Sequence, residues 1–198
     1  MDYLIATHNK GKKAELERIL KPMGIDVHLP EELGITLSDP EETGKTFAEN
    51  ACIKAKSGCM ESGMPCIADD SGLCVEALEG RPGIYTARYG GEDMSYPDKI
   101  KMLCAELEGK TVDERSAYFI STICLVYPDG KEVYAEGRCN GYIGFEPSGT
   151  NGFGFDPIFY VGDRSFASLT AEEKDKISHR GNALRKFAEI IDCKGNRH

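Results

Sequence analysis

Apolar positions recur along this chain in two periods, and each change of period marks an element. Residues 2–7 hold a short apolar run and predict an opening strand, after which Ala14, Leu16, Ile19 and Leu20 fall at helical spacing and predict a helix over 11–21. Pro22 and Gly24 end it, and a second short strand is expected over 25–29. An acidic, loop-like stretch over 30–44 follows, with Thr43 suited to cap a helix in which Phe47, Ala51, Ala55 and Cys59 share one face. Cys66-Ile67-Ala68 predicts a third strand, and Pro97 suits the first turn of a helix over 97–107. Residues 117–127 are rich in β-branched and aromatic side chains, Pro128-Asp129-Gly130 signals a hairpin, and 132–136 is expected to begin the returning strand. Glycines punctuate 137–152, and 157–161 predicts one more strand. Thr170 and Glu173 form a capping box for a helix reaching about Ile177. Ser178-His179-Arg180-Gly181 is read as a break, with a terminal helix over 182–191.

Early alternation of strands and helices, with a hairpin later, predicts an α/β protein: a mixed β-sheet flanked by helices, in two lobes with a substrate cleft between them. At 198 residues and 40% hydrophobic content, one domain over 1–198 can bury its own core. No repeat or low-complexity linker interrupts it. No run approaches the length of a membrane span, and Met1-Asp2-Tyr3-Leu4-Ile5 lacks the basic and apolar regions of a signal peptide, so no membrane is expected and the expected location is the cytoplasm. Cys52, Cys59, Cys66, Cys74, Cys104, Cys124, Cys139 and Cys193 form no Cys-x-x-Cys pair and are expected to be reduced core residues. A net charge of −9 argues against binding a nucleic-acid backbone, while a small anionic substrate stays possible if local cations or a metal receive it.

Two segments are not explained by building a core. Asp69-Asp70-Ser71-Gly72 follows the apolar run at Cys66, and two carboxylates desolvated together at a strand end call for a cation or a catalytic duty. The same four residues also read as an ordinary turn. Phe153-Gly154-Phe155-Asp156 follows a glycine-rich run; an aromatic there can stack on a base and the Asp can accept a hydrogen bond, or both phenylalanines can face a core. In Thr7-His8-Asn9-Lys10-Gly11-Lys12-Lys13, three lysines crowd a helix start, where an anion would relieve their repulsion by the macrodipole. A solvated lysine cluster with Asn9 as a plain cap is the alternative. Glu41 or Glu42 with Asp70 would suit magnesium, which takes one or two protein carboxylates. Lys54, Lys174 and His179-Arg180 read either as binding groups or as ordinary surface and structural residues.

Taken in order, Thr7-x-Asn9-x-x-Lys12, Glu41-Glu42-Thr43-Gly44, Phe47-x-Glu49-Asn50-Ala51-x-x-Lys54-Ala55, Asp69-Asp70-Ser71-Gly72-Leu73, Pro82-Gly83-Ile84-Tyr85-x-Ala87-Arg88-Tyr89, Gly152-Phe153-Gly154-Phe155-Asp156-Pro157 and Ser178-His179-Arg180-Gly181 resemble the bacterial inosine/xanthosine triphosphate pyrophosphatase family. The resemblance covers nearly the whole chain. It implies a two-lobed α/β homodimer with a long mixed sheet that hydrolyses dITP, ITP, dXTP or XTP to the monophosphate and pyrophosphate with Mg2+, clearing such nucleotides before they enter DNA and RNA. Carried over, Thr7, His8, Asn9, Lys10, Gly11 and Lys12 would hold phosphates, Glu41 and Asp70 would serve the metal, and Asp70 would act as base. Ser71, Lys54 and Lys174 would line the nucleotide. Phe153 would stack on the base within the segment Gly154, Phe155 and Asp156, and Asp156, His179 and Arg180 would read its edge. Rivals are a pyrophosphatase for modified pyrimidine or methylated nucleotides, and a nucleotide sensor without turnover.

Overall fold

The structure is a computed structural model and describes residues 2–195, with side chains described through Asp192. Its strands are β1 (Tyr3–Ile5), β2 (Val27–His28), β3 (Cys66–Val75), β4 (Ser116–Val126), β5 (Glu132–Ile143), β6 (Phe159–Val161) and β7 (Arg164–Ser165). Its α-helices are α1 (Lys10–Leu20), α2 (Phe47–Ser62), α3 (Tyr96–Glu106), α4 (Ala171–Ile177) and α5 (His179–Gly195). The strands form one open, mixed sheet of seven in the order β2-β1-β3-β4-β5-β6-β7, flanked by helices. By packing, the chain divides into a first unit (Met1–Asp70, Ser121–Gly137, His179–His198) and a second (Ser71–Ile120, Arg138–Ser178).

In the first unit β1 pairs in parallel with β2 and β3. A parallel strand covered on both faces must be apolar throughout, and Tyr3, Leu4 and Ile5 are all buried. Alternation sends them to different cores. Tyr3 and Ile5 join Leu16, Ile19 and Leu20 of α1 and Leu184 and Phe187 of α5, while Leu4 joins Ala51, Ala55 and Cys59 of α2. Gly137 lets α5 close on its strand: a Cβ there would lie 2.2 Å from the Ala183 nitrogen and from the His179 carbonyl oxygen. The second unit packs Leu73, Val75, Phe119, Ile143, Phe155, Phe159 and Phe166 together, with the rings of Phe159 edge-on to Phe119 at 4.7 Å and to Phe166 at 4.8 Å.

Several expectations shift. Thr46, not Thr43, caps α2, because its side chain accepts from the Glu49 N–H at 3.1 Å while Glu49 Oε2 accepts from the Lys45 N–H at 2.5 Å. β3 does not stop at Ala68 but continues through Asp69, Asp70, Ser71 and Gly72, so the paired aspartates lie inside a strand and not at its end. β5 begins at Glu132 as expected and runs on into the glycine-punctuated stretch, through Gly137 and Gly141. The break before the last helix shrinks to Ser178, whose extended backbone (φ −68, ψ 156) separates α4 from an α5 that already begins at His179. The seven described cysteines are free, and Cys193 lies outside the residues whose side chains are described. No helix among the described residues is long and apolar enough to cross a membrane.

Candidate active site

Because β3 stays extended through Asp69 and Asp70, the two carboxylates leave the strand on opposite faces. Asp69 is fully enclosed in the first unit. Its Oδ2 takes Arg180 Nη2 at 3.0 Å and Lys12 Nζ at 2.8 Å, and its Oδ1 accepts from the Ser121 hydroxyl. Burial pushes the Asp69 carboxyl up, but the Arg180 guanidinium and Lys12 ammonium outweigh it and hold the group well below the usual carboxylate range. Arg180 is itself only 1% exposed and also donates to Glu15, a buried residue of α1. Desolvation would lower its pKa; Asp69 and Glu15 reverse that and raise it.

Asp70 meets different company. Its Oδ1 accepts from Lys54 Nζ at 3.0 Å, and the same ammonium reaches Glu42 Oε1 at 2.7 Å. Burial raises the Asp70 pKa, Lys54 and Lys12 oppose it, and Glu42 adds to the rise, leaving it above its ordinary value. Lys54 shows the reverse balance: burial lowers it, and Asp70 and Glu42 together raise it overall. Asp70 Oδ2 is buried and has no hydrogen-bond partner among the described residues.

The segment joining β1 to α1 lies in the same unit. Thr7 Oγ1 accepts from the Asn9 N–H at 3.3 Å, and Asn9 caps α1 by accepting from the Lys12 N–H at 3.1 Å. The first turn of α1 holds no acidic residue. Lys10 and His8 are exposed, with His8 Nε2 3.3 Å from the Ser38 carbonyl oxygen, and Gly11 is in the first turn. Lys13 pairs with Glu31 at 2.7 Å. Burial lowers the Lys12 pKa, Asp69 opposes that, and the nearby cations Lys54 and Arg180 add to the lowering. The lysines thus do not form one solvated cluster; Lys12 is drawn into the site and Lys13 is not.

Magnesium requires hard oxygen donors, usually one or two carboxylates with water and phosphate completing the shell. Three cations, Lys12, Lys54 and Arg180, face four carboxylates, Glu15, Glu42, Asp69 and Asp70, and one buried oxygen of Asp70 has no hydrogen-bond partner among the described residues. That donor set fits the ion. No group of three or more His, Cys, Asp or Glu gathers to hold a metal among the described residues, and magnesium needs none. The acidic side chain brought to Lys54 is that of Glu42, and its neighbour Glu41 is exposed.

Ser71 begins the second unit, which also holds the other expected group. Asp156 is buried, and its Oδ2 accepts from Lys174 Nζ at 2.6 Å and from the Phe153 N–H at 2.9 Å. The Lys174 ammonium also lies 4.8 Å from the Phe153 ring centroid and 5.6 Å from that of Phe166. Lys174 is therefore a buried ion-pair partner and not a surface lysine. Phe153 is half-buried. The Phe155 side chain is 1% exposed and sits edge-on to Tyr89 and Tyr96 at 6.1 and 5.6 Å, in the core. Gly154 is half-buried between them. His179 and Arg180 fall in the first unit, at the start of α5, and the described partners of the guanidinium are carboxylates. Sequence reasoning missed Ser121, Glu15 and the mutual ties of Asp69, for which no local motif exists.

Residues 3–190 match the Ham1 family. The chain is 46% identical over 193 residues to a protein of Bacillus licheniformis named dITP/XTP pyrophosphatase, covering 96% of this chain and 98% of the relative. The solved structure of a HAM1 protein from Coxiella burnetii superposes with a TM-score of 0.86 at 37% identity, covering 97% of this chain and 98% of that one. The Ham1 protein of Staphylococcus aureus does so with a TM-score of 0.83 at 38% identity, over 98% and 100% of the two chains. Agreement of sequence, fold and near-complete length bears out the resemblance carried by the motifs: the chain belongs to the Ham1 family.

Proposed function

We propose that this protein hydrolyses the non-canonical purine nucleotides dITP, ITP, dXTP and XTP to the monophosphate and pyrophosphate with Mg2+, acting as a cytoplasmic homodimer that keeps these nucleotides out of DNA and RNA. The observation that supports this most is at Asp70: a buried carboxylate with one oxygen on Lys54, the other unpartnered, and a raised pKa. A water held by Asp70 would attack the α-phosphorus, the bond from that phosphorus to the bridging oxygen would break, and pyrophosphate would leave. Burial favours proton uptake at Asp70, whereas a bound magnesium ion would hold the carboxyl down, so its larger share would be orienting the attacking water. Lys12 and Lys54 would meet the negative charge growing on the leaving group, which is the main resource in phosphoryl chemistry. Thr7, Asn9 and the free N–H groups at the start of α1 would hold the outer phosphates. Magnesium, held by Asp70 and the acidic pair Glu41-Glu42, would supply Lewis-acid polarisation of the phosphate oxygens.

At the other end of the substrate, Phe153 would stack on the purine, and Ser71, Asp156, Lys174 and His179 would line or orient the nucleoside. Arg180 is the least free to read a base, since its guanidinium donates to Glu15 and Asp69. The decisive experiment follows the products of dITP by ion chromatography with and without chelator. Pyrophosphate and dIMP in equal amounts, abolished by chelation, are expected; stepwise orthophosphate release or full activity in excess chelator would refute the proposal.

A further inference from the structure

Tyr96 opens α3 in the second unit, and its ring lies against the Phe153-Gly154-Phe155-Asp156 segment. It meets the Phe155 ring edge-on at 5.6 Å and 87°, and carries the Lys99 ammonium 5.1 Å from its centroid. The hydroxyl end faces Gly154: a Cβ built on that glycine would lie 3.6 Å from Cζ and 3.8 Å from the hydroxyl oxygen. The ring is thus fixed on two sides, by an aromatic edge and by a cation that is itself held at 2.6 Å from the Ala87 carbonyl oxygen. The hydroxyl is not used. Tyr96 as a whole is half-buried, and its hydroxyl has no hydrogen bond within the described residues, although Lys99, Phe155 and Gly154 surround the ring that carries it.

A tyrosine whose ring alone mattered would be served as well by phenylalanine. A hydroxyl that a ligand covers without offering it a partner loses its hydrogen bond to water, which weakens binding. We propose that the Tyr96 hydroxyl is a specificity group for the nucleoside end of the substrate, donating a hydrogen bond to an acceptor on the purine base. This rests on the proposed nucleotide activity and adds a residue outside the motifs. Burial first, and the neighbouring Asp156 carboxylate second, raise the Tyr96 pKa, so the phenol stays protonated and acts as a donor. A 6-keto oxygen accepts from such a donor. A 6-amino group meets it donor to donor, which disfavours adenine.

The test is Tyr96→Phe, which removes one oxygen and leaves the Phe155 and Lys99 contacts to the ring. Steady-state kinetics on dITP, ITP and dATP are compared with the wild type, and binding of dIMP is measured by calorimetry as a readout independent of turnover. The proposal expects kcat/KM for dITP and ITP to fall about 10-fold, mainly through KM, dIMP to bind more weakly by a similar factor, and the dITP-to-dATP preference to narrow. Tyr96→Leu, which also loses the ring contacts, should lower the melting temperature, whereas Tyr96→Phe should not. Kinetics and binding within twofold of the wild type in Tyr96→Phe would overturn the proposal. A loss confined to ITP would also overturn it, because the hydroxyl would then meet the ribose 2′-OH. A wild type inactive on dITP would refute the proposed function itself, and dIMP binding would still decide the part played by Tyr96.

Discussion

Replacing Arg180 with methionine should cost more stability than any other single change in the ion-pair network. The guanidinium is 1% exposed and bonded to two buried carboxylates, Glu15 and Asp69. Methionine fills much of the volume but cancels neither charge. Asp69 keeps Lys12 and Ser121, and therefore retains part of its compensation. Removing one partner of a buried pair generally costs about 3–5 kcal/mol, chiefly through the charge left behind. For a chain of this length about 2–4 °C of melting temperature goes with each kcal/mol, so a fall of roughly 6–20 °C is expected. The pH dependence adds a second check. The folded pKa of Asp69 is depressed, so its contribution is present above its unfolded value and is lost as pH falls toward the folded one. Without Arg180 that depression shrinks, and the gap between wild type and variant should therefore be wide at pH 7–8 and close on acidification. Calorimetric scans at several pH values measure both effects, and Arg180→Met combined with Glu15→Gln should recover part of the loss. A variant within about 1 kcal/mol of the wild type at neutral pH, yet altered in its preference for dITP over dATP, would refute the structural assignment and return Arg180 to the base edge.

Asp70→Asn should lower kcat by at least about 10²-fold while leaving the melting temperature unchanged or slightly higher, because the raised pKa of Asp70 means that the fold disfavours its charge at neutral pH. Near-normal kcat in a folded variant would move the chemistry elsewhere. Gly152→Ala sets a Cβ 2.0 Å from Asp156 Oδ2 at a φ of +71°, a backbone region that also disfavours alanine, so it should detach Asp156 from Lys174 and the Phe153 N–H. A loss of about 1–3 kcal/mol in calorimetry and a raised KM for dITP are expected, and wild-type values of both would show that the Asp156 contacts are dispensable.

The opening β1-α1-β2 order was legible because the helical period is clear and Pro22-Met23-Gly24 stops it sharply. The helix cap at Thr46 was also written in the chain, as Thr46 with Glu49 three residues on, but Thr43 beside the acidic run drew the assignment. β3 was cut short for a physical reason: Asp-Asp-Ser-Gly has turn chemistry, and only partners far along the chain make it affordable inside a sheet. Ser121 lies 52 positions from Asp69, and Arg180 lies 111. Local patterning cannot register such distant compensation. The same limit hid the division of the phenylalanines, since alternation alone does not tell which of Phe153 and Phe155 meets Tyr89 and Tyr96. β7 is two residues long and leaves no period to detect.

The placement of the aspartates within β3 has a consequence for altering the protein. Neighbouring side chains on a strand face away from each other, so the backbone acts as a partition: Asp69 anchors Arg180 and Lys12 on one side, and Asp70 meets Lys54 on the other. Substitutions at Glu42 and Lys54 therefore leave the direct contacts of Asp69 in place, while the charges of Lys54 and Lys12 still act across the strand. An insertion or deletion of a single residue in β3 ahead of this pair would turn the strand over and exchange the two roles at once. The segment should keep its fold when a side chain on the Asp70 face is exchanged, at the expense of activity, and reject any change of length.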